Sequence, residues 1–136
     1  MANLTADRNT AAKTLGRRIS LKVKAATKIF AGSIVAVEAA TGFAVPAGDV
    51  VGHQVVGRAE EQVDNSAGAN GDKEVRVSKG VFKWVNNGSA VVQATIGDSV
   101  MAADDNSVKP TSTNSIAVGT CDSIDPDGGI WVATLL

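Results

Sequence analysis

The sequence is poor in the side chains that most often carry chemistry: it has one cysteine, Cys121, one histidine, His53, and no tyrosine. A single cysteine cannot form a disulfide within the chain, and we expect Cys121 to be a small buried residue in a reducing compartment. No cysteine or second histidine stands near His53, so a zinc site is not expected there. We therefore expect a protein that needs no metal ion and no cofactor, with His53 as an ordinary strand residue.

Aromatic residues are also scarce, with three phenylalanines and two tryptophans in 136 residues. The apolar residues are mostly β-branched, with nineteen valines and seven isoleucines against five leucines. β-Branched side chains fit the pleated surface of a sheet and lose rotamer freedom in a helix. The composition therefore favours an all-β chain with a thin core, which would gain stability by burying surface between subunits.

Long apolar runs are missing. No stretch approaches the ~18 residues that a membrane-spanning helix needs, because Glu38 interrupts the longest candidate. The basic N-terminal region contains no apolar segment of the kind that a secretion signal requires. We expect no membrane partner and synthesis in the cytoplasm.

Charge is divided unevenly along the chain. Residues 1–30 carry seven basic side chains and one acidic, a net charge of +6, whereas residues 31–136 carry six basic and thirteen acidic, a net charge of −7. A basic segment on an acidic body is typical of an arm that binds nucleic acid or an acidic protein surface. We predict that residues 1–18 form such an arm, which can hold a short helix between Thr5 and Gly16 and which docks on a neighbouring protein.

The predicted contacts of this arm combine charge with apolar anchorage. Exposed ion pairs contribute only ~0–1 kcal/mol each, so basic residues alone would hold the arm weakly. The residues that we predict to bind the partner are Leu4, Arg8, Lys13, Leu15, Arg17 and Arg18. The alternative is a nucleic-acid partner, which we favour less than an acidic protein surface.

The rest of the chain consists of short stretches of β-type residues separated by turn signals. Asp, Asn, Gly and Pro recur between these stretches about every 8–14 residues, and the clearest alternation of apolar and polar residues is RISLKVKA. This spacing is typical of a small β-barrel or β-sandwich of short antiparallel strands, which we place at residues 19–136. A further strand is expected at SAVVQATI, residues 89–96. The positions predicted to be mostly buried are Ile19, Leu21, Val23, Val75, Val77, Phe82, Trp84, Ile130 and Val132.

A polar loop in the stretch from Val63 to Phe82 resembles a calcium loop, because acidic and other small polar residues alternate along it. An EF-hand loop needs glycine at its sixth position and glutamate at its twelfth, where this sequence has Ala69 and Val75. We therefore predict that DNSAGANGD is a long hairpin turn and that KEVRVSKGVF is the returning strand.

Three other carboxylates, Asp122, Asp125 and Asp127, could hold a calcium ion, but Pro126 and the glycines beside them are typical of a plain turn. Nucleophilic catalysis needs a base beside the nucleophile, and the lone histidine is a poor candidate. No glycine-rich phosphate-binding motif is present, and the lysine-bearing hairpin tip of a biotinyl or lipoyl carrier domain is missing. An enzyme is therefore the function class that the sequence favours least.

Six segments follow one another in residues 31–136: AGSIVAV, TGFAVPAG, VVGRAEEQVDNSAGANGDKEVRVSKGVFKW, IGDSVMAADDNSVKP, AVGTCDSID and GGIWVATL. Their strand order and turn composition resemble the capsid decoration, or cement, proteins of tailed bacteriophages. The resemblance implies a non-enzymatic protein of the virion that binds the outer surface of an icosahedral head.

Proteins of that family clamp neighbouring capsomers, and many are trimers while some are dimers. The resemblance therefore implies that the partner is the major capsid protein and that the chain is a homo-oligomer, with a trimer favoured over a dimer. If the protein instead sat inside the shell, its basic arm could touch packaged DNA. A phage or bacterial surface module of the fibre or adhesin type is the alternative function.

Overall fold

A computed structural model describes Ala6 and residues 18–134 of the chain. These residues form twelve β-strands and two single-turn 3₁₀ helices, Asn87–Ser89 and Gln93–Thr95. In chain order the strands are β1 (Arg18–Lys22), β2 (Thr27–Ile29), β3 (Ile34–Glu38), β4 (Ala44–Pro46), β5 (His53–Ala59), β6 (Val63–Asn65), β7 (Glu74–Ser78), β8 (Val81–Asn86), β9 (Ser99–Ala102), β10 (Ser107–Lys109), β11 (Ala117–Ile124) and β12 (Ile130–Thr134). The prediction of an all-β protein is confirmed.

Five strands form an open antiparallel sheet in the order β1-β7-β5-β3-β4. The edge strand β1 pairs along its whole length with β7. Immediately after β1, Val23 forms a parallel bridge to Ala44, and the backbone N–H of Lys24 donates to the Ala44 carbonyl at 3.1 Å. The chain therefore passes from one edge of the sheet to the other, where it covers part of β4.

Five further strands close into a small barrel in the order β10-β8-β12-β11-β9, with β9 paired to β10 to complete the ring. All neighbours are antiparallel except β8 and β10, which run parallel over a short register. β11 and β12 form a hairpin whose turn lies at residues 125–129, where the sequence predicts a turn. Gly128 has a φ of 94° in this turn, a conformation that glycine adopts without a steric penalty.

Two apolar cores lie on opposite faces of β3. Ile34 and Ala36 pack into the barrel core, whereas Val35 packs into the core of the open sheet. The barrel core also contains Trp84, while the fully buried residues of the sheet core are all aliphatic and are covered by a two-stranded ribbon of β2 and β6. Because β3 is buried on both faces, it joins the barrel to the open sheet.

Most of the predicted core positions are buried. The six buried ones are Val23, Val75, Val77, Trp84, Ile130 and Val132. Ile19, Leu21 and Phe82 are only half-buried, although they pack against the two cores. Ile19 and Leu21 lie on the edge strand β1, which has no neighbour among the described strands on its outer side to shield them. Cys121 is buried, as predicted.

The strand predicted at residues 89–96 is wrong. This segment contains the last residue of the first 3₁₀ turn and the whole of the second, because the side chains of Asn86 and Thr95 bind backbone groups that a strand would need. The Asn86 side chain donates to the carbonyl of Val91 and accepts from its N–H, both at 2.9 Å. The Thr95 hydroxyl accepts from the N–H of Val92 at 3.2 Å.

The polar loop after β6 is not a hairpin turn. β6 pairs with β2 and β7 pairs with β1 and β5, so the loop connects two different sheets. The buried Asn65 fixes its path, because Nδ2 donates to the carbonyls of Lys24 and Ala69, both at 3.0 Å. The Asp72 carboxylate accepts from the N–H of Ala69 at 2.9 Å. The polar side chains therefore satisfy loop backbone groups, as predicted, but within a crossover between sheets.

Candidate binding surface

Most of the arm that the sequence predicts to bind a partner lies outside the described residues, as does the predicted helix between Thr5 and Gly16. The predicted contacts outside them are Leu4, Arg8, Lys13, Leu15 and Arg17. Arg18, assigned to the arm, is the exposed first residue of β1 and lies opposite Ser78. The pKa of the nearby Glu60 carboxyl is lowered by hydrogen bonds from Ser78 and Arg58 and, more weakly, by the charge of Arg18. The base of the arm therefore stands beside a carboxylate of its own body.

The described part of the basic segment keeps most of its charges exposed. Arg18, Lys22 and Lys28 are exposed and form no ion pair with a carboxylate of the described residues. Lys24 differs, because its Nζ lies 2.8 Å from Glu38 Oε2. The charges of Arg18 and Lys28 nevertheless help to lower the pKa of the Glu60 and Asp64 carboxyls, so these two cations lie near carboxylates of their own body.

A solvent-open groove runs along β8 on the barrel. Its two halves have volumes of about 590 and about 400 Å³, and both are lined by Gly32, Lys83 and Trp84. The larger half extends to the 3₁₀ turn after β8 and to the tip of the β11–β12 hairpin. The smaller half extends to Arg58 and Trp131. The groove therefore lies where β8 meets the turn before β3 and the end of β5.

Arg58 is held firmly at the smaller half of the groove. Its Cζ lies 4.2 Å from the centroid of the Phe82 ring, and its Nη2 lies 2.9 Å from Glu60 Oε1. A guanidinium above an aromatic face is attracted by the negative ring quadrupole. Phe82 in turn packs edge-to-face on Trp84, with ring centroids 6.1 Å apart. The cation and the two rings form one packed unit beneath the groove.

Lys83 connects the groove to the β11–β12 hairpin. Its Nζ lies 2.7 Å from Asp127 Oδ2 and 5.8 Å from the centroid of Trp131, whose Nε1–H donates to Asp125 Oδ1 at 3.1 Å. The hydrogen bond from Lys83, helped by one from the backbone N–H of Gly129, lowers the pKa of Asp127 to about 2. The same ion pair raises the pKa of Lys83. The hairpin tip is therefore anchored to β8 by charge as well as by the strand ladder.

Among the strands that the structure describes, none pairs with one edge of β8 over half of its length. The N–H of Thr134 donates to the Gly80 carbonyl at 2.8 Å, so in the antiparallel ladder Phe82 and Trp84 also direct their backbone groups toward β12. The backbone groups of Val81 and Lys83 consequently point to the other side. There the described part of β10 pairs with β8 only at Val85 and Asn86. The Val81–Lys83 edge therefore faces the groove without a described strand beside it.

Exposed apolar side chains flank this edge. Val81 is 51% exposed and Val85 is 57% exposed, although both belong to a barrel strand. Trp84 is only 6% exposed, and its indole N–H has no hydrogen-bond acceptor within residues 18–134. Buried donors without a partner are rare, because desolvating them costs free energy. Phe82 and Trp84 therefore give β8 an apolar inner face, whereas its outer face exposes two valines with Lys83 between them.

The residues considered for metal binding or catalysis do not converge in the described structure. Within residues 18–134, no group of three or more His, Cys, Asp and Glu side chains is placed to hold a metal ion. Asp125 and Asp127 are engaged by Trp131 and Lys83. His53 is a strand residue of β5, as predicted, and lies opposite Glu38 rather than in the groove.

Comparisons of the chain with protein-family models, with curated proteins and with solved structures found no match. Among the described residues, no helix has the length and apolar character needed to cross a bilayer.

Sequence reasoning did not find the groove. A signal was present, because VFKWV at the start of β8 is apolar at four of five positions, where a half-buried strand would alternate. What the sequence could not reveal is which edge of β8 lacks a neighbour, since that depends on pairing with distant β10 and β12.

Proposed function

We propose that this chain is a capsid decoration protein of a tailed bacteriophage, which binds the outer surface of the head and clamps neighbouring major capsid proteins. It acts as a structural protein without enzymatic activity, is made in the host cytoplasm and ends on the virion surface. The observation that supports the proposal is the exposure of Arg18, Lys22 and Lys28, none of which forms an ion pair with a carboxylate of the described residues. Arg18 and Lys22 continue the basic N-terminal segment onto the edge strand β1 and Lys28 onto the β2–β6 ribbon, where an acidic protein surface could bind them.

The proposed assembly is a homo-oligomer, with a trimer favoured over a dimer. Val51 is 79% exposed and Val50 is 50% exposed in the loop between β4 and β5, so the body offers apolar surface away from the groove. A trimer would carry three arms, and linked binding sites gain avidity without any new contact. Such multivalent attachment suits a clamp that spans several capsid subunits.

A surface module of the fibre or adhesin type is the second candidate. The groove along β8 favours it, because a recess with aromatic and polar lining is a general feature of ligand sites. In that case the isolated protein would bind a cell-surface ligand through the groove, and the basic arm would be dispensable.

Deletion of residues 2–16 tests the proposal. We expect the truncated protein to fold, because the described strands begin at Arg18, and to lose most of its binding to heads that lack the decoration protein. Co-sedimentation with such heads is the measurement, and circular dichroism verifies the fold. Undiminished binding of the truncated protein would refute the role of the arm.

A full-length variant distinguishes the contribution of the arm's positive charge from that of its presence as a segment. Replacement of Arg8, Lys13 and Arg17 by glutamine keeps the arm and removes three positive charges. We expect intermediate loss of binding, because Leu4 and Leu15 remain to anchor it. Tight, salt-dependent binding of the unmodified protein to naked DNA would favour a position inside the shell instead.

A further inference from the structure

We propose that the groove along β8 binds an extended segment of the partner protein, which adds as a strand to the open Val81–Lys83 edge. This inference rests on the proposed function, because it takes the partner to be the major capsid protein. It assigns to the barrel a second contact that is separate from the basic arm.

The open edge supplies the backbone half of this site. Val81 and Lys83 present their N–H and carbonyl groups away from β12, and β10 reaches β8 only from Val85 onward. A guest strand would lie about 4.8 Å from β8, the ordinary spacing of paired strands. Strand addition obtains affinity from main-chain hydrogen bonds and specificity from pockets for alternate side chains.

The side chains around the edge supply the other half. Val81 and Val85 are four residues apart on one face of β8, and both are more than half exposed. Gly32 lines both halves of the groove, so no side chain at that position blocks a guest backbone. Trp84 lines both halves of the groove and is only 6% exposed, so its ring contributes apolar surface that is already packed in place. These features fit an extended peptide with small apolar residues at alternate positions.

Charge indicates which peptide fits. The charged residues that line the groove are two cations, Arg58 and Lys83, and one anion, Asp127. Because Arg58 is paired with Glu60 and Lys83 with Asp127, the described lining has little free charge of either sign. A neutral or weakly acidic segment fits such a lining, whereas the basic N-terminal arm of a second copy would find no unpaired carboxylate among the lining residues. The occupant is therefore a partner segment that carries apolar residues and no excess of positive charge.

Substitutions at Val81 test the open edge, because this residue is exposed and its N–H is not used in pairing with β12. Val81→Pro removes that N–H and leaves the ladder intact, since proline is tolerated where a strand N–H faces solvent. Val81→Lys keeps the N–H and adds a charge of the kind that natural edge strands use against strand addition. Val81→Thr is the matched control, because it keeps both the N–H and the β-branched shape.

The four proteins are compared for binding to heads that lack the decoration protein, together with residue-resolved hydrogen exchange. We expect Val81→Pro and Val81→Lys to bind about tenfold more weakly or worse, as the loss of one hydrogen bond and the added obstruction imply. Val81→Thr should bind like the unmodified protein, and the amides of Val81 and Lys83 should become protected when the unmodified protein binds. Equal binding by all four proteins, without that protection, would overturn the inference. If Val81→Pro does not fold, Val81→Lys and the exchange pattern decide.

A peptide probe separates this inference from the proposed function. The probe is a short acetylated and amidated peptide of alternating valine and serine with one glutamate. If the unmodified protein fails to bind heads but the probe protects Val81 and Lys83, and Val81→Pro abolishes that protection, the groove is a strand-addition site and the decoration role is wrong. Binding to neither heads nor probe overturns both. Binding of a glycan panel through the groove, without binding of the probe, also overturns the inference and favours the adhesin-type function.

Discussion

The barrel and the open sheet solve the problem of unpaired strand edges in different ways. Closure of the ring gives each barrel strand two neighbours, whereas the open sheet leaves β1 as an edge and covers part of β4 through the bridge of Val23 to Ala44. Edges are sites where another chain can pair, so they are either protected or used. On β1 the exposed positions are Arg18, Ser20 and Lys22, which protect it. On β8 the open part carries the exposed Val81 and also Lys83, but the charge of Lys83 is paired with Asp127, so this edge is less protected by free charge than β1.

The two units also differ in how tightly their cores are enclosed. The barrel core contains Trp84 and is surrounded by strands that are paired on both sides over most of their length. The sheet core is aliphatic and is covered by the β2–β6 ribbon, which pairs over only three residues. A short ribbon can move more easily than a ring. The barrel is therefore expected to be the more rigid unit, and the following changes test that difference.

Truncation of a buried isoleucine to alanine in each core should cause the largest losses of stability. Ile130 in the barrel and Ile29 in the sheet core are both fully buried, and Ile→Ala in a core costs about 2–5 kcal/mol. We expect Ile130→Ala near the top of this range and Ile29→Ala near the bottom, because the ribbon can close on the cavity. Urea unfolding measures both. An equal or larger cost for Ile29→Ala would contradict the expectation that the barrel is the more rigid unit.

Alanine substitution of glycines that lie against a neighbouring backbone should also destabilise the barrel more than the open sheet, but with smaller effects than the isoleucine changes. A Cβ on Gly119 would lie 2.0 Å from the Ala133 carbonyl oxygen, and a Cβ on Gly57 would lie 2.2 Å from that of Ser78. Overpacking of this kind costs about 1–3 kcal/mol. We expect Gly119→Ala to be the more destabilising, because the β11–β12 ladder that it would disturb has five residue pairs, whereas β5 and β7 pair at only two positions.

Gly48→Ala is the control for these two variants. Its Cβ would meet only a Val50 methyl group at 3.6 Å, which is an ordinary contact. We expect a melting temperature within a few degrees of the unmodified protein, since changes without a steric clash are usually within about 0.5 kcal/mol. A large loss in this control would show that glycine substitution itself, rather than backbone contact, causes the effect.

The sequence predicted the positions of strands and turns better than it predicted which strands pair with each other. Alternation located β1, and the turn residues located the turn between β11 and β12, because the side-chain period and the turn residues are local properties. It failed at residues 89–96, where the side chains of Asn86 and Thr95 bind backbone groups that the strand pattern requires. It also failed after β6, whose partner β2 lies more than thirty residues away in sequence. The groove depends on the same distant pairing and could not be read from the sequence.

The barrel and the open sheet each carry an ion pair whose carboxyl pKa is lowered, and we expect the two pairs to respond to acid independently. Lys83 lowers the pKa of Asp127 on the barrel to about 2 from an ordinary value of 3.8. Because the folded-state pKa is the lower one, this pair contributes stability above pH 3.8 and loses it as the pH falls toward 2. On the sheet, the hydrogen bond from Arg76 lowers the pKa of Glu61 in the same direction.

We expect NMR titration of Asp127 to give a midpoint near 2, which Lys83→Met should raise while Arg76→Met leaves it unchanged. Conversely, Arg76→Met should raise the pKa of Glu61 without affecting Asp127. If Lys83→Met or Arg76→Met changed the pKa of both Asp127 and Glu61, the two ion pairs would not be independent of each other. The barrel and the open sheet would then not respond separately to acid.

The smallest and most local expected difference is between the amide exchange rates on the two edges of β8 in the free protein. The amides of Phe82 and Trp84 donate toward β12, so we expect slow exchange, whereas those of Val81 and Lys83 should exchange fast. Residue-resolved exchange by NMR measures this alternation. Equal protection at all four amides in the free protein would mean that the β8 edge is already paired.

The stoichiometry of binding to heads that lack the decoration protein tests the central claim most directly. The unmodified chain is titrated against such heads, and the bound copies per major capsid protein are counted after sedimentation. A clamp at local symmetry axes predicts saturation at a fixed whole-number ratio of trimers to those axes, with no binding to free capsid subunits. Binding that never saturates, or no binding at all, would contradict the proposal that this chain decorates a phage head.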